Sequence, residues 1–206
     1  MDKTKIAVLV SGGGTNLQAL LDAEAAGALP SGQIALVVSN VPGAFALERA
    51  RRAGVEALTL TRRDCGGQAG FEEALREALD SRGIELIILA GFLSILSEAF
   101  VRRYDERILN VHPSLIPAFC GRGYYGLKVH EAALARGVKY TGATVHFVNE
   151  IPDGGRILLQ KPVPVLPGDT PETLQRRVME QAEWILLPEA AERVSSRIQQ
   201  EKEQRQ

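Results

Sequence analysis

The segment "KIAVLVSGGGTNLQAL", Lys5 to Leu20, decides how the chain is read. An apolar run from Ile6 to Val10 meets Ser11 and three glycines, and a helix-like pattern, "TNLQALLDAEAAGAL", follows. Continuous rather than alternating apolar runs are expected of strands covered on both faces, as in a parallel sheet. The rhythm returns in "IALVVS" before "AFALERARRAG" and in "VEALTL" before "GFEEALREALDSRG", and "IELIILAGF" and "RILNV" supply two more strands. Right-handed crossovers between such units build a doubly wound sheet. The expected class is α/β, with a mostly parallel sheet and helices on both faces.

After "RILNV" the rhythm changes. "PAFCGRGYYGLK" is rich in Gly and Pro and reads as an ordered loop, and "LKVHEAALARG" as a short amphipathic helix. "YTGATVHFVNE" alternates and pairs with "GRILLQKPVPVL" across "IPDGG", which predicts at least one antiparallel strand. "DTPETLQRRVMEQAEWILLPEAAERV" predicts one closing helix, capped by Asp169 or Thr170 with Pro171 near its first position. Residues 193–206, including "SSRIQQEKEQRQ", read as a polar tail that frays into solvent. Residues 1–192 are expected to form a single domain.

With 24 basic and 25 acidic side chains, the formal charge is −1, which leaves no overall electrostatic footprint for nucleic acid. The two cysteines, Cys65 and Cys120, are too few for a disulfide framework or a zinc-finger pattern. His112, His130 and His146 lack the spacing of a zinc helix. The start, "MDKTKIAVLV", reads as neither a signal peptide nor a membrane span, so a cytoplasmic protein with no metal is expected.

Three glycines between a strand and a helix suit an anion, because backbone N–H groups and the helix's positive end converge there. Thr15 and Asn16 add side-chain donors. The dinucleotide fingerprint fails because Leu17 stands at its third glycine, and the G-K-[ST] ending of a Walker loop is missing.

In "ILNVHPSLIPAF", Ile108 to Phe119, Asn110 and His112 are two apart and share a face if the segment is a strand. Pro113 then ends the ladder, leaving both side chains at the strand's carboxyl end, where open α/β sheets place ligands. Asp153 stands at the lip of "IPDGG". Asn can donate to a developing oxyanion, His can donate or shuttle protons, and a nearby carboxylate favours the imidazolium. No G-x-S-x-G elbow or cysteine motif marks a nucleophile, so direct acyl transfer is the simpler chemistry. By contrast, His146 reads as a satisfied sheet histidine and His130 as a surface residue.

The motifs "SGGGTNLQAL", "ILAGFLSIL", "ILNVHPSLIPAF", "TGATVHFVNEIPDGG" and "ILLQKPVPV" follow the order found in the phosphoribosylglycinamide formyltransferases, which the chain resembles from Ile6 to about Pro188. "SGGGTNL" sets this branch apart from methionyl-tRNA formyltransferases within the folate-dependent superfamily. The resemblance implies a Rossmann-like formyltransferase fold and formyl transfer from 10-formyltetrahydrofolate to the amine of glycinamide ribonucleotide, a step of purine biosynthesis. It implies Asn110, His112 and Asp153 as the catalytic trio. Gly13, Gly14, Thr15 and Asn16 would hold the nucleotide's phosphate and Glu183 its ribose hydroxyls. Leu93, Ser94, Ile95 and Leu96, with Asn110, would line the folate pocket. Arginine often stands in the family where this chain has Ser94 and Gln68. The partners implied are the two small molecules, without nucleic acid or membrane, and a homodimer stays open. A 10-formyltetrahydrofolate hydrolase and a non-enzymatic nucleotide-binding regulator are the alternatives.

Overall fold

Apolar strands can pair in parallel only if helices cover both faces of the sheet. The computed structural model, which describes residues 2–204, shows how this chain does so. Five strands, β1 (Thr4–Val10), β2 (Gly32–Ser39), β3 (Glu56–Thr59), β4 (Leu86–Leu89) and β5 (Ile108–His112), run parallel. β6 (Tyr140–Phe147) is antiparallel to β5 and to β7 (Ile157–Pro164), giving the order β3-β2-β1-β4-β5-β6-β7. The chain winds outward from β1 in one direction, then from β4 in the other. The crevice between the carboxyl ends of β1 and β4 is thus the topological switch point.

Successive β1 side chains enter different cores. Ile6, Val8 and Val10 pack with residues of α1 (Thr15–Ala25) and of α7 (Trp184–Glu203). Ala7 and Leu9 face residues of α3 (Gln68–Asp80) and of α4 (Glu98–Arg103). The remaining helices are α2 (Phe45–Arg52), α5 (Leu127–Arg136) and α6 (Pro171–Val178). Thr170 caps α6: its side chain accepts from Thr173 N–H at 3.3 Å, and Thr173 reciprocates to the Thr170 N–H at 2.8 Å. Asp169 instead takes a hydrogen bond from Arg177 at 2.6 Å.

Three expectations are corrected. The closing helix is not continuous: a π turn, Met179–Glu183, separates α6 from α7. The stretch from Arg193 is not a frayed tail, because α7 continues to Glu203 and buries Val194 and Ile198. Burying such a side chain is worth about 1.5–3 kcal/mol, enough to hold a polar-looking segment down. His130, expected at the surface, is fully buried on α5 beside Val129 and Ala133. Neither of its ring nitrogens has a partner among the described residues, and burial, helped by the nearby charge of His112, pushes the imidazole down to about 4.

Candidate functional site

Asn110 and His112 do share the end of β5, and their positions follow from the pairing with β6. The register sets Asn110 opposite His146 and His112 opposite Thr144. Side chains directly opposite in antiparallel strands meet, and Asn110 Nδ2 lies 3.1 Å from His146 Nε2. His146 Nδ1 is 2.9 Å from the carbonyl of Phe147, so it carries the proton and leaves Nε2 to accept from Asn110. The β6–β7 register shifts between Val145 and His146, beside this ring. Thr144, in turn, anchors the segment after Pro113: its hydroxyl donates to Ser114 O at 2.7 Å and accepts from Ile116 N at 3.1 Å.

Asp153 joins them from the β6–β7 connection. Its backbone is left-handed, with φ 56°, and the two following glycines allow the tight return. A Cβ on Gly155 would overlap Phe147 O. The carboxylate accepts from Gly121 N at 2.8 Å and, more loosely, from Asn110 Nδ2 at 3.4 Å. It lies 3.4 Å from His112 Nδ1 and 3.6 Å from His146 Nε2. Burial raises the Asp153 carboxyl, but the neighbouring His112 ring and the Gly121 N–H that donates to it help to leave the group below its ordinary value. His112 is itself buried, and its Nε2 sits 2.8 Å from Phe119 O. A carbonyl only accepts, so Nε2 carries hydrogen while Nδ1 faces the carboxylate.

Two concavities meet at this cluster. A cleft of about 610 Å³ runs from Phe92 and Leu93 past Asn110, His112 and Asp153 to Tyr124 and Tyr125. A smaller pocket of about 130 Å³ lies between Leu89, Phe92, Leu96 and Val101 on one side and Val148 to Asp153 on the other. Leu93 and Ile95 are 66% and 60% exposed, so the segment after β4 presents apolar surface to these openings. Ser94 is held by Asn40, which donates to it at 2.6 Å and accepts from Ser11 at 2.7 Å. Gln68 Nε2 and Arg62 Nη2 both donate to Ile95 O, at 3.2 and 3.3 Å.

Across the switch point, Gly14 is the left-handed residue before α1. The N–H groups of Gly13 to Asn16 donate to no protein atom among the described residues. The fold also brings together two residues assigned separately to one substrate, because Asn16 Nδ2 donates to Glu183 Oε2 at 2.7 Å. Glu183, at the end of the π turn, is 6% exposed. Burial pushes its carboxyl up to about 7, against a smaller lowering by Asn16.

The sequence reading missed His146 as part of the polar cluster. Its alternation on β6 was visible, but its register against Asn110 was not. The link from Ser11 through Asn40 to Ser94 joins the segments that follow β1, β2 and β4 and left no local signal.

A doubly wound sheet with unpaired donors and a polar cluster flanking its switch point belongs to the class of α/β proteins that hold ligands at their strand ends. The chain belongs to the formyl transferase family, whose model matches residues 4–190. It is 42% identical to the phosphoribosylglycinamide formyltransferase of Haemophilus influenzae, over 89% of this chain and 84% of that one. It is 44% identical to the trifunctional purine biosynthetic protein adenosine-3 of Gallus gallus over 95% of its own length, and spans 19% of that longer protein. The crystal structure of glycinamide ribonucleotide transformylase 1 from Symbiobacterium toebii superposes with a TM-score of 0.87 at 43% identity, covering 94% of this chain and 88% of that one. Among the described residues, no helix is long and apolar enough to cross a membrane.

Proposed function

We propose that this chain is a phosphoribosylglycinamide formyltransferase, moving the formyl group of 10-formyltetrahydrofolate to the primary amine of glycinamide ribonucleotide in the cytoplasm. The observation that carries the reading is the convergence of Asn110 and His112 on Asp153 at the junction of the two concavities.

The pocket between Leu96 and Val148, apolar on one side and polar toward Asn110 and Asp153, suits a flat heteroaromatic ring, with Ser94 and Ile95 in its wall and Leu93 in the adjoining cleft. Arg62, at the Ile95 carbonyl, brings a cation to that wall. The phosphate lies on the loop Gly13, Gly14, Thr15 and Asn16, and Glu183 meets the ribose hydroxyls.

The amine attacks the formyl carbon directly, and the developing oxyanion takes donors from Asn110 Nδ2 and the His112 ring. One such donor is worth about 3–4 kcal/mol of barrier. Asn110 Nδ2 and His112 Nδ1 each lie 3.4 Å from Asp153, loosely enough for substrate to draw both onto the oxyanion, as is usual for catalytic groups without substrate. Asp153 faces His112 Nδ1, orients that ring and orders the water that carries a proton from the amine to the leaving nitrogen. Holding both substrates in one cleft supplies much of the remaining acceleration. No step requires a metal or a covalent enzyme intermediate.

The test follows deformylation of 10-formyltetrahydrofolate by absorbance, with and without glycinamide ribonucleotide. Deformylation that needs the nucleotide supports the transferase. Equal loss without it would make the protein a hydrolase, and no loss by a folded protein would overturn the reading.

A further inference from the structure

We infer that Arg49, on α2, is a positioning residue for anion binding at the glycine loop. This rests on the reading of that loop as the nucleotide's phosphate site. Arg49 Nε donates to Gly13 O at 2.8 Å, and its Nη1 donates to Gln18 Oε1 at 2.9 Å. One turn earlier, the Ala46 N–H donates to Gly12 O at 3.1 Å. Two consecutive carbonyls of the loop are therefore tied to α2.

A trans peptide points its N–H opposite to its C=O. Holding the Gly12 and Gly13 oxygens on α2 thus turns the N–H groups of Gly13 and Gly14 to the other side. Those N–H groups donate to no protein atom among the described residues, and a Cβ built on Gly12 or Gly13 would meet nothing within 4 Å, so nothing in the loop itself competes for them. The α2 side is closed, since a Cβ on Gly14 would come within 2.6 Å of Ala46 Cβ. Without this clamp, carbonyl oxygens could swing toward the anion and repel it.

The guanidinium is suited to the task in three ways. Its planar fork serves Gly13 and Gln18 at once from two nitrogens held in one rigid plane, where an ammonium would have to reach both from a single atom. Its carbon lies 4.9 Å from the centre of the Phe45 ring, which fixes its approach. Its charge also reinforces the positive end of α1. Arg49 acts through the loop backbone and leaves the reacting atoms alone.

The test compares kcat/KM for glycinamide ribonucleotide with that for the riboside lacking the phosphate, in wild type, Arg49→Met and Arg49→Lys. Arg49→Met keeps the apolar stem but loses the charge and both donors. Its preference for nucleotide over riboside should fall by about tenfold or more, mainly through the nucleotide's KM, as expected for a lost charge-assisted bond. Arg49→Lys should recover part of that preference. Thermal unfolding of each variant reports whether it is folded, and the lysine variant carries the test if the methionine variant is not. An equal loss for both substrates would assign Arg49 a merely structural role and overturn the inference, as would an unaltered preference. A wild type that does not distinguish the two substrates would remove the phosphate reading itself, and the inference with it.

Discussion

Each polar side chain in the cluster leaves another with a restricted choice. His146 uses its Nδ1 proton on Phe147 O, so Nε2 holds the Asn110 amide, and Asn110 points its Nδ2 toward Asp153. His112 has an obligate acceptor at Phe119 O and a carboxylate at its other nitrogen. If Asn110 and His112 supply the oxyanion donors, His112→Ala should lower kcat by about 10²–10³-fold with little change in nucleotide KM. Steady-state kinetics at saturating folate read this directly, and near-normal turnover would sink the assignment. Asp153→Asn tests the carboxylate separately. A carboxyl held below its ordinary 3.8 stays ionised throughout the working range and loses its charge only as pH falls through the lower value. The asparagine variant should therefore lose turnover at neutral pH and change the acid limb of the pH–rate profile. An unchanged rate and profile would make Asp153 an ordinary turn residue.

At the scale of elements, the cluster depends on how closely β6 and its outgoing connection pack. Gly155 lies against Phe147 O so tightly that even a methyl group cannot be accommodated without moving the Asp153 turn. Gly155→Ala should leave the far-ultraviolet circular dichroism close to wild type yet cut kcat by about tenfold or more, since small displacements of reacting groups are costly. Retained kcat would show that the turn has slack. The cap of α6 gives a prediction about stability instead. Thr170→Ala removes the acceptor for Thr173 N–H and should cost about 1 kcal/mol in urea unfolding. Most elements could be read from their local pattern: the strand runs, α1, α2, α3 and α5, and the Thr170-Pro171 start of α6. The helix α4 was not anticipated, although Ser97 caps it by accepting from Phe100 N, because its six residues are too short for a periodicity to show. The π turn was missed for a different reason. "MEQAE" has ordinary helical propensity, and it lies between α6 and α7, whose buried residues share one core.

For the whole molecule, the buried carboxyl of Glu183 links stability to pH. Its folded value, about 7, lies above the ordinary 4.5, so the folded state binds more protons between those limits than the unfolded state does. Stability from this group is therefore highest at low pH, declines as pH rises from about 4.5 to about 7, and then levels off. Glu183→Gln removes the titration. Relative to wild type it should gain on the order of 2–3 kcal/mol between pH 5 and pH 8, because each pH unit separating the folded and unfolded values is worth about 1.36 kcal/mol. Urea unfolding of the ligand-free proteins at both pH values measures it, and parallel pH dependence in the two proteins would refute the linkage. The same variant should weaken nucleotide binding more than folate binding if Glu183 meets the ribose.

Local pattern was enough for the strand–loop–helix rhythm, the open end of β5 and the glycine loop, because each depends on residues within about a dozen positions of one another. It was also enough to single out Asn110, His112 and Asp153 as residue types suited to one chemistry. Only the tertiary structure decided that His146 completes that cluster, that Asn16 meets Glu183 across 167 residues, and that His130 and the end of α7 are buried. Those outcomes depend on strand register, on which helix covers which face, and on the burial that follows. These are long-range packing terms, and no short window of sequence contains both partners.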